Sequence, residues 1–102
     1  MSPKEKDMIE LLREVIDPEL MVNIVDLGLV YDVKYDEAEE KVDVMLTLTS
    51  PGCPMGGIII EDAENSIKTE YPECEVSINL VWEPPWSTEM LTERGREELG
   101  FY

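Results

Sequence analysis

The segment Thr47-Leu48-Thr49-Ser50-Pro51-Gly52-Cys53-Pro54 holds the residue best placed for chemistry. Proline suits the first turn of a helix, where its missing N–H is not needed, so Pro54 puts Cys53 at or beside a helix cap. A sulfur there faces unpaired backbone N–H groups and the positive end of the helix dipole, and both favour thiolate over thiol. The thiolate is the form that acts as nucleophile and as metal ligand. Gly56 and Gly57 follow in the first turn, each at a cost of about 1 kcal/mol against alanine. They leave bare backbone that a ligand or partner can approach. Position alone also leaves a second reading open, since a free cysteine is often a small buried hydrophobe in a tight turn. Cys74 sits at a strand start between Glu73 and Glu75, whose charges raise a thiol pKa, and is read as packing.

Other polar residues could serve the same site. Asp17-Pro18-Glu19-Leu20 follows the first helical stretch, which puts the Asp17 carboxylate at the negative end of a helix dipole, a mildly unfavourable place. Either Asp17 bonds local N–H groups in a turn, or it and Glu19 reach a site shared with Cys53. Asp26 follows in Ile24-Val25-Asp26-Leu27-Gly28-Leu29. Thr47 and Thr49 fall on the polar side of their strand, where their hydroxyls could support Cys53, although threonine is also a good strand residue. In Trp82-Glu83-Pro84-Pro85-Trp86, the alternation turns Trp82 inward as a core residue. Trp86, beyond two prolines, is a candidate contact for a protein partner, as aromatics anchor interfaces, or else packs the last helix on the body.

The elements that must position these residues follow from periodicity. Ser2-Pro3-Lys4-Glu5 has a serine cap, a proline at the first helical position and a glutamate three residues past the cap. Met8, Leu11, Leu12, Val15 and Ile16 recur at helical spacing, and Pro18 pushes Asp17 off helical angles, so the first helix is expected over 3–15. Leu29, Tyr31, Val33 and Tyr35 alternate with Val30, Asp32 and Lys34, and Val42, Val44, Leu46 and Leu48 repeat the pattern after a charged turn. Ile59, Ala63 and Ile67 give a helix from Pro54 to about Glu70, stopped at Tyr71-Pro72. Val76, Ile78, Leu80 and Trp82 form a third strand, and a last helix through Leu99 is closed by Gly100. A hairpin plus a crossover helix implies an α+β two-layer sandwich: a small three-stranded mixed sheet with helices packed on it.

The chain has 102 residues, room for one domain over 1–102. Eight Lys plus Arg against 24 Asp plus Glu leave a net charge of −16. A surface this negative repels phosphate backbones and anionic lipid heads, which excludes nucleic-acid binding and membrane docking as leading functions. The absence of His excludes His-dependent catalysis and His-ligated metals, and two Cys 21 positions apart make no CxxC unit. The N-terminal stretch lacks the apolar core of a signal peptide, and no run reaches the ~18 apolar residues of a membrane span. A cytoplasmic location, where thiols stay reduced, is expected.

Taken together, DPEL, DLGLVY, LTLTSPGCP and WEPPWS with a closing ELGFY resemble the family of small metal–sulfur cluster biosynthesis proteins, SufT/PaaD-like, and most closely its stand-alone SufT-like type. The similarity runs from about Leu11 to Tyr102. It implies an iron–sulfur-assembly-type α+β domain and a role in maturing or targeting clusters for recipient proteins. By resemblance, the cysteine of the SPGCP loop carries over to Cys53, the aspartate of DPEL to Asp17 with Glu19 nearby, and the preceding threonines to Thr47 and Thr49. The glycine that usually follows DPEL is Met21 here. The cysteine-rich extension of PaaD-type proteins is missing, so a zinc site like theirs is not expected.

One favourable thiolate per chain cannot hold an iron–sulfur cluster alone, because clusters take about four ligands. Cys53 is therefore expected to ligate iron or a cluster transiently, with further ligands from a partner protein or from the second chain of a homodimer. The leading expectation is a non-catalytic accessory factor in cluster assembly or delivery. The alternatives are an enzyme using Cys53 as nucleophile with Asp17 or Glu19 as proton carrier, and a structural interaction module acting through Trp86 and the acidic surface. Without His, the enzyme would need a carboxylate base of raised pKa.

Overall fold

A computed structural model describes residues 2–49 and 56–100. The first helix, α1 (Pro3–Leu12), opens with the expected capping box: the Ser2 hydroxyl accepts from the Glu5 N–H at 3.2 Å, and the Glu5 carboxylate accepts from the Ser2 N–H at 2.8 Å. The helix ends at Leu12, short of the expected residue 15. The N–H groups of Arg13, Glu14 and Val15 reach back only three residues, and the Val15 carbonyl is taken by the Ile24 N–H at 3.0 Å. That bond draws the chain into a small hairpin absent from the expected order, β1 (Ile16–Asp17) antiparallel to β2 (Val22–Asn23).

The main sheet is the expected one. Strands β3 (Val30–Asp36) and β4 (Lys41–Leu46) pair antiparallel, and β5 (Glu75–Leu80) joins the other side of β4 in parallel after the crossover helix α2 (Gly56–Glu70). A register shift between Val30 and Asp32 breaks the expected simple alternation in β3. A short 3-10 turn at Thr88–Met90 precedes α3 (Glu93–Leu99), which Thr92 caps and Gly100 closes in the left-handed conformation at φ 84°.

Helices α1 and α2 contact each other and lie on the sheet, α1 at β3 and α2 at β5, while α3 packs on β2. The core between them is sealed by Met8 and Leu12 of α1, Ile59, Ala63 and Ile67 of α2, and Val33, Val42, Val44 and Leu46 of the sheet. Each of these side chains larger than alanine stabilises the fold by about 1.5–3 kcal/mol relative to exposure. Polar bonds fix the helices on one another. The Ser66 hydroxyl donates to the Leu11 carbonyl at 2.7 Å, and the Tyr71 hydroxyl donates to Asp7 at 2.6 Å.

Two expected orientations are corrected. Trp82, assigned to the core by alternation, is 40% exposed. Burial falls along β5, from 6% exposure at Val76 to 39% at Leu80, and Trp82 stands two residues past the end of that strand. Thr47, assigned to a polar strand face, is fully buried.

Candidate functional site

The Asp17 carboxylate is 2% exposed and closes its own turn. Its Oδ1 accepts the N–H of Glu19 at 2.8 Å and of Leu20 at 3.2 Å, while its carbonyl accepts the Met21 N–H at 2.7 Å. These are the local bonds expected of an aspartate before Pro-x-x. Met21 adopts φ 58° with its side chain 73% exposed, so the turn keeps a conformation that glycine takes freely. Glu19 is exposed beside it.

Thr47 and Thr49 lie past the end of β4, at the stem of the chain that leads to Cys53. The Thr47 N–H donates to the Leu29 carbonyl at 2.8 Å, which locks the backbone. Its hydroxyl has no partner among the described residues, nor does the buried amide nitrogen of Asn79, which pairs across from Met45. Thr49 is half-buried. At the far end of the same segment, Gly56 sits so close to Leu48 that an added Cβ would stand 2.8 Å from Leu48 Cδ1. Glycine there lets the start of α2 pack directly on the strand end, and the two stems meet. Cys53 itself, with the expected helix start at Pro54, lies outside the described residues. Among the described residues no hydrogen bond or ion pair joins Asp17 to Thr47 or Thr49.

Cys74 is 2% exposed. Burial pushes its thiol up, and Glu73 and Glu40 push it further, so it stays protonated and inert at neutral pH. Trp86 is half-buried against the core, and its indole N–H donates to the Leu27 carbonyl at 2.6 Å.

Asp26, set beside Asp17 in the sequence but given no role of its own, is the centre of a dense polar network among the described residues. Asp26, 1% exposed, accepts Arg13 and the Thr92 hydroxyl on Oδ1, both at 2.8 Å, and the Asn23 amide on Oδ2 at 2.7 Å. Its N–H donates to the Asn23 side chain at 2.9 Å, and its carbonyl accepts the Thr92 N–H at 3.0 Å. Burial alone would raise the carboxyl pKa, but the bonds from Asn23, Thr92 and Arg13 outweigh it and hold it below the ordinary value of 3.8. The group is an anion with both carboxylate oxygens bonded, which ties α1, the β2 end and the cap of α3 together. It is a brace, and a poor base. An open cleft of about 760 Å³ borders it, lined by Glu10, Arg13, Arg94 and Glu97 among others. The spacing Asn23…Asp26 was its only local signal; Arg13 and Thr92 are distant in sequence.

Residues 5–78 match the iron–sulfur cluster assembly protein family. The chain belongs to that family. A "Fe-S protein maturation auxiliary factor" of Porphyromonas gingivalis is 42% identical over 97 residues, covering 95% of this chain and 91% of that protein. The "Fe-S protein maturation auxiliary factor SufT" of Staphylococcus aureus is 46% identical over 87 residues, covering 84% of this chain and 97% of that protein. The family fold is also seen in a domain of unknown function from Bacillus anthracis, which superposes with a TM-score of 0.89 at 44% identity and covers 96% of this chain and 92% of that one. Among the described residues no helix is long and apolar enough to cross a membrane.

Proposed function

We propose that this chain is a cytoplasmic accessory factor in iron–sulfur cluster assembly or delivery to recipient proteins, and that it acts through the Cys53 thiolate. The observation that carries the reading is the kinship over nearly the whole chain with proteins named as maturation auxiliary factors. The chemistry of the donor set narrows it to one sulfur. There is no His, and of the two thiols Cys74 is sealed and pushed toward its neutral form. One thiolate falls short of the about four ligands that a cluster takes, so iron or a cluster is cargo held transiently, with the remaining ligands from an assembly or recipient partner or from a second copy. Asp17, Glu19, Thr47 and Thr49 are the supporting residues. The unpartnered Thr47 hydroxyl is the polar group at the stem of the Cys53 segment without a structural bond among the described residues.

The test is complementation of a strain lacking the protein. Cys53→Ala is expected to leave recipient iron–sulfur enzymes under-matured, while Cys74→Ala matures them as wild type does. Anaerobic reconstitution with iron and sulfide, followed by absorbance and mass, should show iron retention that depends on Cys53. Normal maturation by Cys53→Ala would sink the thiolate reading and leave family membership intact.

A further inference from the structure

The sheet has two edges, and the molecule treats them differently. On β3 the outward N–H groups are already used: Val33 donates to the Asp32 carboxylate at 2.9 Å and Tyr35 to Glu5 at 2.8 Å. That strand also carries a register shift and Lys34, devices that discourage further pairing.

The β5 edge has none of these. Glu75 N–H donates to the Glu40 carbonyl and Val81 N–H to the Leu46 carbonyl, at 2.8 and 2.9 Å, which fixes the odd-numbered residues as those facing β4. By alternation, the N–H and C=O groups of Val76, Ile78 and Leu80 point away from the sheet. They have no hydrogen bond to any other described residue. The register from Glu75 to Leu80 is unbroken, and the strand contains no Pro, Lys or Arg. At its end Leu80 and Trp82 are 39% and 40% exposed, giving apolar surface beside the open backbone.

We propose that β5 is a docking edge for an extended, basic segment of a partner protein, which adds to the sheet as a fourth strand. Charge selects the occupant. From Glu70 to Glu83 the chain carries four Glu and no Lys or Arg, on a protein of net charge −16. Lys41, opposite Glu75 on β4, is the cation that the register brings nearest. A second copy fits poorly: antiparallel self-pairing centred on Ile78 sets Glu73 against Glu83 twice and brings two strongly acidic chains together. A segment with alternating basic and apolar side chains satisfies the backbone, the charge, and the Leu80–Trp82 surface at once. This inference does not depend on Cys53.

The experiment is an NMR titration of the full-length, isotope-labelled protein with a short acetylated peptide alternating Lys and Val. Its control is a peptide of equal charge with Pro at every Val position, which lacks half of the backbone donors and the Val side chains and is biased to polyproline II geometry, a poor ladder partner. The Lys–Val peptide is expected to shift and protect the amides of Val76, Ile78 and Leu80, and the Pro peptide is not. Leu80→Pro removes an outward N–H at a position where an edge strand tolerates proline, and should weaken binding at least about tenfold. Should that variant fail to fold, Glu73→Lys with Glu75→Lys leaves the backbone edge intact and should weaken binding several-fold. Equal binding of the two peptides, shifts spread over the acidic surface or on β3, or a wild-type dimer paired through β5 would each overturn the proposal.

Discussion

Asp26 and Thr47 are both polar side chains removed from water, at 1% and 0% exposure, and both stand close to turns in the chain. Their surroundings are opposite. Around Asp26 each carboxylate oxygen is bonded, the backbone on both sides of the side chain is bonded, and three separate segments meet at it. Around Thr47 the backbone is bonded and the hydroxyl is not, among the described residues. A buried polar group with partners specifies the fold; one left over is a cost to the fold of about 1–3 kcal/mol that something other than the fold accounts for. The difference teaches where to look: burial of polarity marks both regions, but only the unsatisfied one borders the segment that carries Cys53.

The largest effect should come from breaking the satisfied region. Asp26→Ala leaves the Asn23 amide and the Thr92 hydroxyl without their carboxylate acceptor and removes one of the two carboxylates paired with Arg13, which keeps Glu10 and contact with water at 34% exposure. Loss of one partner from a buried pair costs about 3–5 kcal/mol, and the solvation left to Arg13 places this variant near 3. A urea midpoint shift at unchanged slope would show it. The same group contributes to the acid limb of stability, beside Glu5, whose carboxyl the Ser2 and Tyr35 N–H groups also hold low. The native pKa of Asp26 lies below the ordinary 3.8, so its contribution is complete above that value and is lost as pH falls through the lowered native one. Asp26→Asn should make stability fall less steeply below about pH 4, with the remainder of the slope carried by Glu5, and leave the neutral-to-alkaline profile unchanged. An unchanged acid limb would mean that Asp26 is not the brace.

What could be read from the sequence was what depends on neighbours in the chain. The Ser2–Glu5 capping box, the alternation of Val42, Val44 and Leu46, and the closure of α3 at Gly100 are all short-range consequences of residue type, and each is in place. What escaped depended on partners far away. The early end of α1 needs Ile24, which takes the Val15 carbonyl; the role of Asp26 needs Arg13 and Thr92. Trp82 lies past the end of β5, where burial has already fallen away by Leu80. The candidate site was legible to a similar extent. Asp17 makes the turn that its local sequence allows, whereas whether Thr47 has a partner is set by the packing around it and by no pattern in the chain.

A smaller effect of opposite sign is expected at the Asp17 turn. Met21 is held at φ 58° with most of its side chain in water, so it contributes little packing to offset the conformational cost. A left-handed non-glycine residue costs roughly 1–2 kcal/mol, part of which glycine returns as extra freedom in the unfolded chain. Met21→Gly should therefore stabilise the protein by about 1 kcal/mol in urea denaturation. A loss of stability would show that the Met21 side chain is doing more than its exposure suggests, and that the turn around Asp17 is not governed by local bonds alone.

The smallest effect on stability, and the sharpest test of the contrast, is Thr47→Val. The substitution keeps the branched shape and replaces the hydroxyl with a methyl. If that hydroxyl has no partner, its removal takes away a desolvation cost and leaves no orphan behind, so stability should hold or rise by up to about 1 kcal/mol. The same change at a satisfied group would go the other way by a similar amount, which is why the sign matters more than the size. A measured loss above about 1 kcal/mol would mean that the hydroxyl is bonded within the fold and that the two regions do not differ in kind. Held or raised stability together with poorer maturation of recipient enzymes would instead tie the hydroxyl to cargo or partner, because a variant that folds at least as well cannot lose function through folding.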